Sequence, residues 1–136
     1  MTSVRDQVEA FKTDLMRWQA RIGVPAEPAD LKESEAILTM SRGRLEAMSA
    51  SEAANAAFVL SQLAFELQRR ENGLNAFAGW CAANRNRFPA ECKSMIIDLR
   101  ESSEQRRMSI AYLARRVEFM SQCLMAVQRS RQKETT

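Results

Sequence analysis

Cys92, Ile96, Leu99, Ser103, Arg106, Ile110, Leu113, Val117, Met120, Leu124 and Val127 follow one another at spacings that alternate between four and three residues. Only an α-helix brings positions three and four apart onto one side, so this period calls for a single long helix with one packing seam of coiled-coil type. Pro89 turns the preceding residue away from helical geometry and sets the start near Ala90. The periodic pattern carries the helix to about Gln132. Ser103 and Arg106 are polar members of an otherwise apolar line. Such positions weaken packing and often fix register or oligomer state.

A seam needs something to pack against, and the chain offers three candidates. In the stretch from Met48 to Trp80, Ser49 and Glu52 have the spacing of a capping box, which starts a helix by satisfying two unpaired backbone N–H groups reciprocally. Leu60, Leu67, Leu74 and Cys81 then recur every seven residues, flanked by Ala53, Ala56, Leu63, Ala64 and Ala78. Without a proline before Pro89, this helix can run through Trp80 toward Phe88. Phe58 and Phe65 form a second line, about 140–160° from Leu60 at 100° per residue. The Leu60/Leu67/Leu74 line is assigned to the last helix, and the Phe58/Phe65 line to the N-terminal helix or a neighbouring subunit. The N-terminal segment carries Val4, Val8, Phe11, Leu15, Trp18 and Ile22 at spacings of four and three. That helix is too short to stand alone and must dock. Gly23-Val24-Pro25 stops it. A short helix capped by Asp30 is expected from Leu31 to about Met40, with Ser41-Arg42-Gly43 able to end it and Arg44–Met48 able to continue as helix.

These elements define an all-α chain: a small bundle of about four helices, two of them long, with coiled-coil-like seams and more apolar faces than one copy needs. A homo-oligomer follows as an expectation, with Phe58, Phe65, Leu113, Val117 and Leu124 as interface candidates. The organisation expected is an N-terminal helix over residues 1–22, a linker over 23–30, a helical domain over 31–131 and a frayed polar tail over 132–136. Four Gly and three Pro in 136 residues agree with helices joined by short links.

The same residues narrow the chemistry. There is no His, so His-based acid–base catalysis and His-ligated zinc are excluded. No phosphate-binding glycine loop or EF-hand loop occurs. The carboxylate pairs Glu33/Glu35 and Glu101/Glu104 lie on polar helix stretches, where solvation is the ordinary role. Cys81, Cys92 and Cys123 make an odd set without a C-x-x-C, which fits reduced, buried thiols in a cytoplasmic protein. The charged stretch from Met1 to Arg21 is unlike a signal peptide, and no run reaches the ~20 apolar residues of a membrane span. A non-enzymatic protein without metal or cofactor is the expectation, and binding is the function left.

Charge points to the second half. Residues 1–68 carry seven basic and ten acidic side chains, a net of −3, whereas residues 69–136 carry thirteen and seven, a net of +6. The basic clusters are Arg69-Arg70, Arg85-x-Arg87, Arg106-Arg107, Arg115-Arg116 and Arg129-x-Arg131. On the last helix Arg100, Arg107, Arg115 and Arg129 share a sector about 80° wide, suited either to phosphates or to a salt-bridged outer face. Arg85-Asn86-Arg87-Phe88 sets two cations, an amide and an aromatic ring at the break between the long helices. Single-stranded nucleic acid is held by cations on its backbone and aromatic faces on its bases. Trp80 offers a second ring there, or a core residue beneath the turn.

The segment Leu45–Asn72, with Glu52-Ala53-Ala54-Asn55 at its helix start and Gln68 to Asn72 at its polar end, resembles phage recombination mediators of the UvsY type. Arg107 through Leu124, followed by Gln128-Arg129-Ser130-Arg131, resembles that family's last helix with its basic end. The likeness spans roughly residues 38–131 and leaves the first 30 residues unmatched. It implies a small helical protein that forms ring-like homo-oligomers and binds single-stranded DNA. It further implies assistance in loading a phage RecA-like recombinase onto strands covered by single-strand binding protein, in the host cytoplasm. The family's basic-x-basic segment followed by an aromatic is similar to Arg85-x-Arg87-Phe88, although Asn86 and Pro89 depart from it. Arg85, Arg87, Phe88, Arg69, Arg70, Arg107 and Arg115 are the DNA-contact candidates. The alternative is a helical structural or adaptor protein of phage assembly without DNA affinity.

Overall fold

A computed structural model describes residues 3–22 and 32–134. Among these residues every regular element is helical: α1 (Val4–Ile22), α2 (Lys32–Leu38), α3 (Arg42–Ala47), α4 (Ala50–Ala83), a 3₁₀ turn (Ala90–Cys92) and α5 (Lys93–Glu134). The all-α expectation therefore holds, with α4 and α5 as the two long helices. The stretch expected as one short helix and an uncertain continuation divides in two. The cause is Ser41, whose extended backbone and side-chain oxygen, accepting from the Arg44 N–H at 3.2 Å, start α3 afresh. Asp30, Leu31 and the linker residues lie outside the described residues.

α4 begins on the capping box. The Glu52 N–H donates to Ser49 Oγ at 3.1 Å, and the Ser49 N–H donates to Glu52 Oε1 at 3.2 Å. α1 has its own start signal, the Asp6 N–H donating to Ser3 Oγ at 3.1 Å.

The chain divides into two compact units, and α4 and α5 each contribute to both. In the first, α1 joins Arg69–Ser109. Its core includes Val8, Leu15 and Ile22 of α1, Leu74, Phe77 and Cys81 of α4, Cys92 of the 3₁₀ turn, and Ile96 and Leu99 of α5. Val4, the expected start of the α1 seam, is 76 % exposed, so the seam begins one turn later at Val8. Arg106, the odd member of the α5 seam, donates from Nε to the Ile22 carbonyl at the end of α1. The last carbonyls of a helix lack partners within it and favour a cation, so this arginine closes α1.

In the second unit, α2, α3 and the beginning of α4 join the chain from Ile110 onward. Ala53, Ala56, Leu60, Leu63 and Leu67 of α4 are buried, as are Ile110, Leu113, Val117, Met120 and Leu124 of α5. Ile37 of α2 and Met48 add to this aliphatic core. Ala64, expected at the flank of the α4 apolar face, is exposed. Arg116 pairs with Glu35 of α2 at 3.2 Å. Arg131 donates to the carbonyls of Met48, at 2.9 Å, and of Glu46 at the end of α3. It also pairs with Glu134 at 3.0 Å, in the last described turn of α5. Among the described residues no helix is long and apolar enough to cross a membrane.

Candidate functional site

The break between α4 and α5 is built by local hydrogen bonds. α4 ends at Ala83, and Asn84 caps its last turn from two directions. Its N–H reaches the Trp80 carbonyl at 3.1 Å and its side-chain amide reaches the same oxygen at 2.9 Å. The Arg87 N–H donates to the Asn84 carbonyl at 2.9 Å, which folds Arg85-Asn86-Arg87 into a turn. Pro89 is extended at φ −62°, ψ 147°, and leads into the 3₁₀ turn before α5.

Trp80 anchors this turn through rings. Its centroid lies 5.6 Å from Phe88, 6.1 Å from Trp18, and 6.2 Å from both Phe11 and Phe77. Phe11 meets Phe88 edge-on at 5.8 Å. α1 thus supplies two of the five rings, and Phe88 belongs to the cluster that docks α1. Ring pairs at these distances and tilts are favourable beyond their area. Trp80 and Phe88 are both half-buried within this ring cluster.

Beside the cluster runs a groove of about 760 Å³. Its lining mixes apolar side chains, Phe77, Ala78, Cys81 and Ala82 of α4, Phe88 of the turn, and Ile96 and Ile97 of α5, with the polar Asn86, Ser103 and Glu104. The short side chains at Ala78 and Ala82 leave the space open. Four cations line it, Arg85 from the turn and Lys93, Arg100 and Arg107 from α5. The last three stand seven residues apart on one line of the helix, about 10 Å between successive positions. Arg107 has a loose pairing with Glu104, at 3.8 Å. Among the described residues Arg85, Arg87, Lys93 and Arg100 form no ion pair. Glu104 also lines the groove, so four cations face one carboxylate there, an excess of positive charge that favours anions.

The groove brings together three of the DNA-contact candidates, Arg85, Phe88 and Arg107. Arg87 is exposed on the same turn but does not line it. Arg69 and Arg70 stand on α4 outside the lining, each with an interaction of its own. Arg115 is exposed in the other unit. Lys93 was not among the candidates, and Arg100 figured only in the basic sector of the last helix. The signal for both was the seven-residue repeat Lys93–Arg100–Arg107. Of the interface candidates, Leu113, Val117 and Leu124 are buried within a single chain, whereas Phe58 and Phe65 are 63 % and 67 % exposed. The ring contacts of α1 are with Phe77, Trp80 and Phe88.

The cysteines are free. Burial pushes the Cys81 thiol up from its ordinary value, with nearby Arg100 pulling partway back. Burial raises Cys92 also. Both are therefore thiols rather than thiolates at neutral pH, poor nucleophiles in this setting. Cys123 is half-buried. Among the described residues no group of three or more His, Cys, Asp or Glu side chains could hold a metal ion.

Comparison with protein-family models, curated proteins and solved structures finds no match for this chain.

Proposed function

We propose that the protein binds single-stranded DNA through the basic groove beside the α4–α5 turn, without catalysis, and acts as a recombination mediator. The observation that carries the binding is the set Arg85, Lys93 and Arg100, which form no ion pair among the described residues and line one groove with Phe88, Ile96 and Ile97. Cations at ~10 Å intervals can follow a phosphate backbone, and Ile97 with the edge of Phe88 gives bases an apolar surface without a sequence code. The mediator role, with a RecA-like recombinase and single-strand binding protein as partners, rests on the resemblance to the UvsY type. Repetition of the groove in a homo-oligomer would add weak contacts along one strand through effective concentration.

Fluorescence anisotropy with a labelled oligo-dT tests this directly. Binding is expected at low salt, and four engaged cations give a slope of log K against log salt of about −3. The R85A/R100A double variant should bind about tenfold or more weakly, a change of ~1.4 kcal/mol. It should keep its helical circular dichroism, because both side chains are exposed. Absence of binding by the wild-type chain at low salt removes the proposal and favours a structural or adaptor role. The exposed rings of Phe58, Phe65, Tyr112 and Phe119 give that second reading its support.

A further inference from the structure

Ser103 is the buried polar residue of α5, 6 % exposed on a line otherwise given to packing. A hydroxyl within a helix can satisfy itself on the carbonyl four residues back, as Thr13 does with Glu9 at 3.0 Å. Ser103 does not. It forms no hydrogen bond among the described residues, and its oxygen is not sealed off. It lines the groove instead. A buried hydroxyl without a partner lowers stability, and a ligand group that bonds it recovers the loss.

The rest of the lining selects that group. The buried members besides Ser103 are Phe77, Cys81 and Ile96. The charged members, Arg85, Lys93, Arg100, Glu104 and Arg107, are all exposed. A phosphate drawn in to Ser103 exchanges water for three apolar side chains, an unfavourable transfer for a charge. It is better held by the exposed cations. A neutral, flat group with a polar edge enters without that penalty. The groove, at about 760 Å³, lies within the ~300–1,000 Å³ of small-molecule sites. We propose that one base of the bound strand leaves the stack and enters the groove beside Phe77 and Ile96, with its polar edge on the Ser103 hydroxyl and its flanking phosphates on the exposed cations. This rests on the groove being the site of the single strand. The hydroxyl rotates to donate or accept, so it serves any base. In a duplex the base edge is already paired, and the groove therefore favours unpaired strands.

Two oligomers of equal length separate the base from the backbone: oligo-dT, and an abasic strand with the same phosphates. Ser103→Ala should weaken oligo-dT about fivefold in fluorescence anisotropy, the effect of one hydrogen bond. It should leave the abasic strand unaffected and the salt slope for oligo-dT unchanged, since no charge is lost. Its denaturant midpoint should rise, because alanine removes an unpartnered hydroxyl. Equal weakening of both strands places the hydroxyl on a phosphate and overturns the proposal. So does a lowered midpoint, which means that the chain itself uses the hydroxyl. Binding of oligo-dT that is indifferent to Ser103→Ala removes this inference and leaves the groove as the strand's site. No binding of oligo-dT by the wild-type chain removes both.

Discussion

Arg106 and Arg131 stand on α5 in different units, and each ends at the C-terminus of another helix: Arg106 at the last residue of α1, Arg131 at the end of α3. The two units share this device and the same alternation of three and four along α4 and α5. They differ in what fills the space. The unit that holds α1 is packed with rings around Trp80, has alanines at 78 and 82, and opens a groove lined by cations. The other is filled by Leu, Ile, Val and Met, and bears its rings Phe58, Phe65, Tyr112 and Phe119 on the outside. One periodic pattern can therefore support a ligand surface or a closed aliphatic core. The choice depends on side-chain size and charge at the flanks of the seam.

The hardest test of that contrast is to empty each core in turn. Phe77 is 1 % exposed and touches both tryptophans, so Phe77→Ala should cost about 3–5 kcal/mol. Leu60→Ala, at a site with no exposure, should cost about 2–5 kcal/mol. Denaturant titration gives the totals. Hydrogen exchange should place the faster opening of Phe77→Ala in α1 and Arg69–Ser109, and that of Leu60→Ala in the other unit. Equal acceleration across all helices in both variants would mean that the units open together and that their separation is geometric only.

The two arginine clamps come next. Replacing each by Met keeps most of the stem volume and removes the donors. Arg106→Met leaves a half-buried carbonyl at Ile22 unsatisfied and should cost about 1–3 kcal/mol, with exchange rising in the last turn of α1. Arg131 reaches two carbonyls, one of them exposed and able to turn to water. Arg131→Met should therefore cost about 0.5–1.5 kcal/mol, read at Glu46–Met48. A larger loss at Arg131 would show that the short α3 depends on α5 more than α1 does.

How much of this the sequence carried depends on range. The Ser49/Glu52 box is a local pattern and starts α4 as read, and of the α5 line read from Cys92 to Val127 every member is buried except Arg106 and Val127, which are half-buried. Arg106 was legible as a polar intruder, but its partner lies 84 residues away, at the end of a helix whose docking no period encodes. The same distance hid the packing of Phe88, whose ring meets Phe11 of α1 edge-on. Period alone also cannot tell a face buried by the chain's own helices from one buried by a second copy. For that reason Leu113, Val117 and Leu124 were grouped with Phe58 and Phe65, although only the latter pair is exposed. Lys93 lies within the basic sector of α5 by angle, about 20° from Arg100. What sets the groove is its common line with Arg100 and Arg107 beside two alanines of α4.

The smallest expected effect concerns Gly73 and Gly79, which sit inside α4 in the unit that bears the groove. Helical glycine costs conformational entropy relative to Ala, and such residues persist where a neighbour leaves no room for a methyl group. No heavy atom lies within 4 Å of a methyl built at either position, and neither residue has a left-handed backbone. Crowding therefore does not require glycine there. Gly73→Ala and Gly79→Ala should each stabilise the chain by about 0.4–1 kcal/mol, measured as a shift in denaturant midpoint with unchanged slope. If stability rises and oligo-dT binding is unchanged, the groove functions on a rigid helix. If stability rises while binding falls, local yielding of α4 near its end is part of how the groove admits a strand, and the ring-packed unit differs from the aliphatic one in mobility as well as in composition.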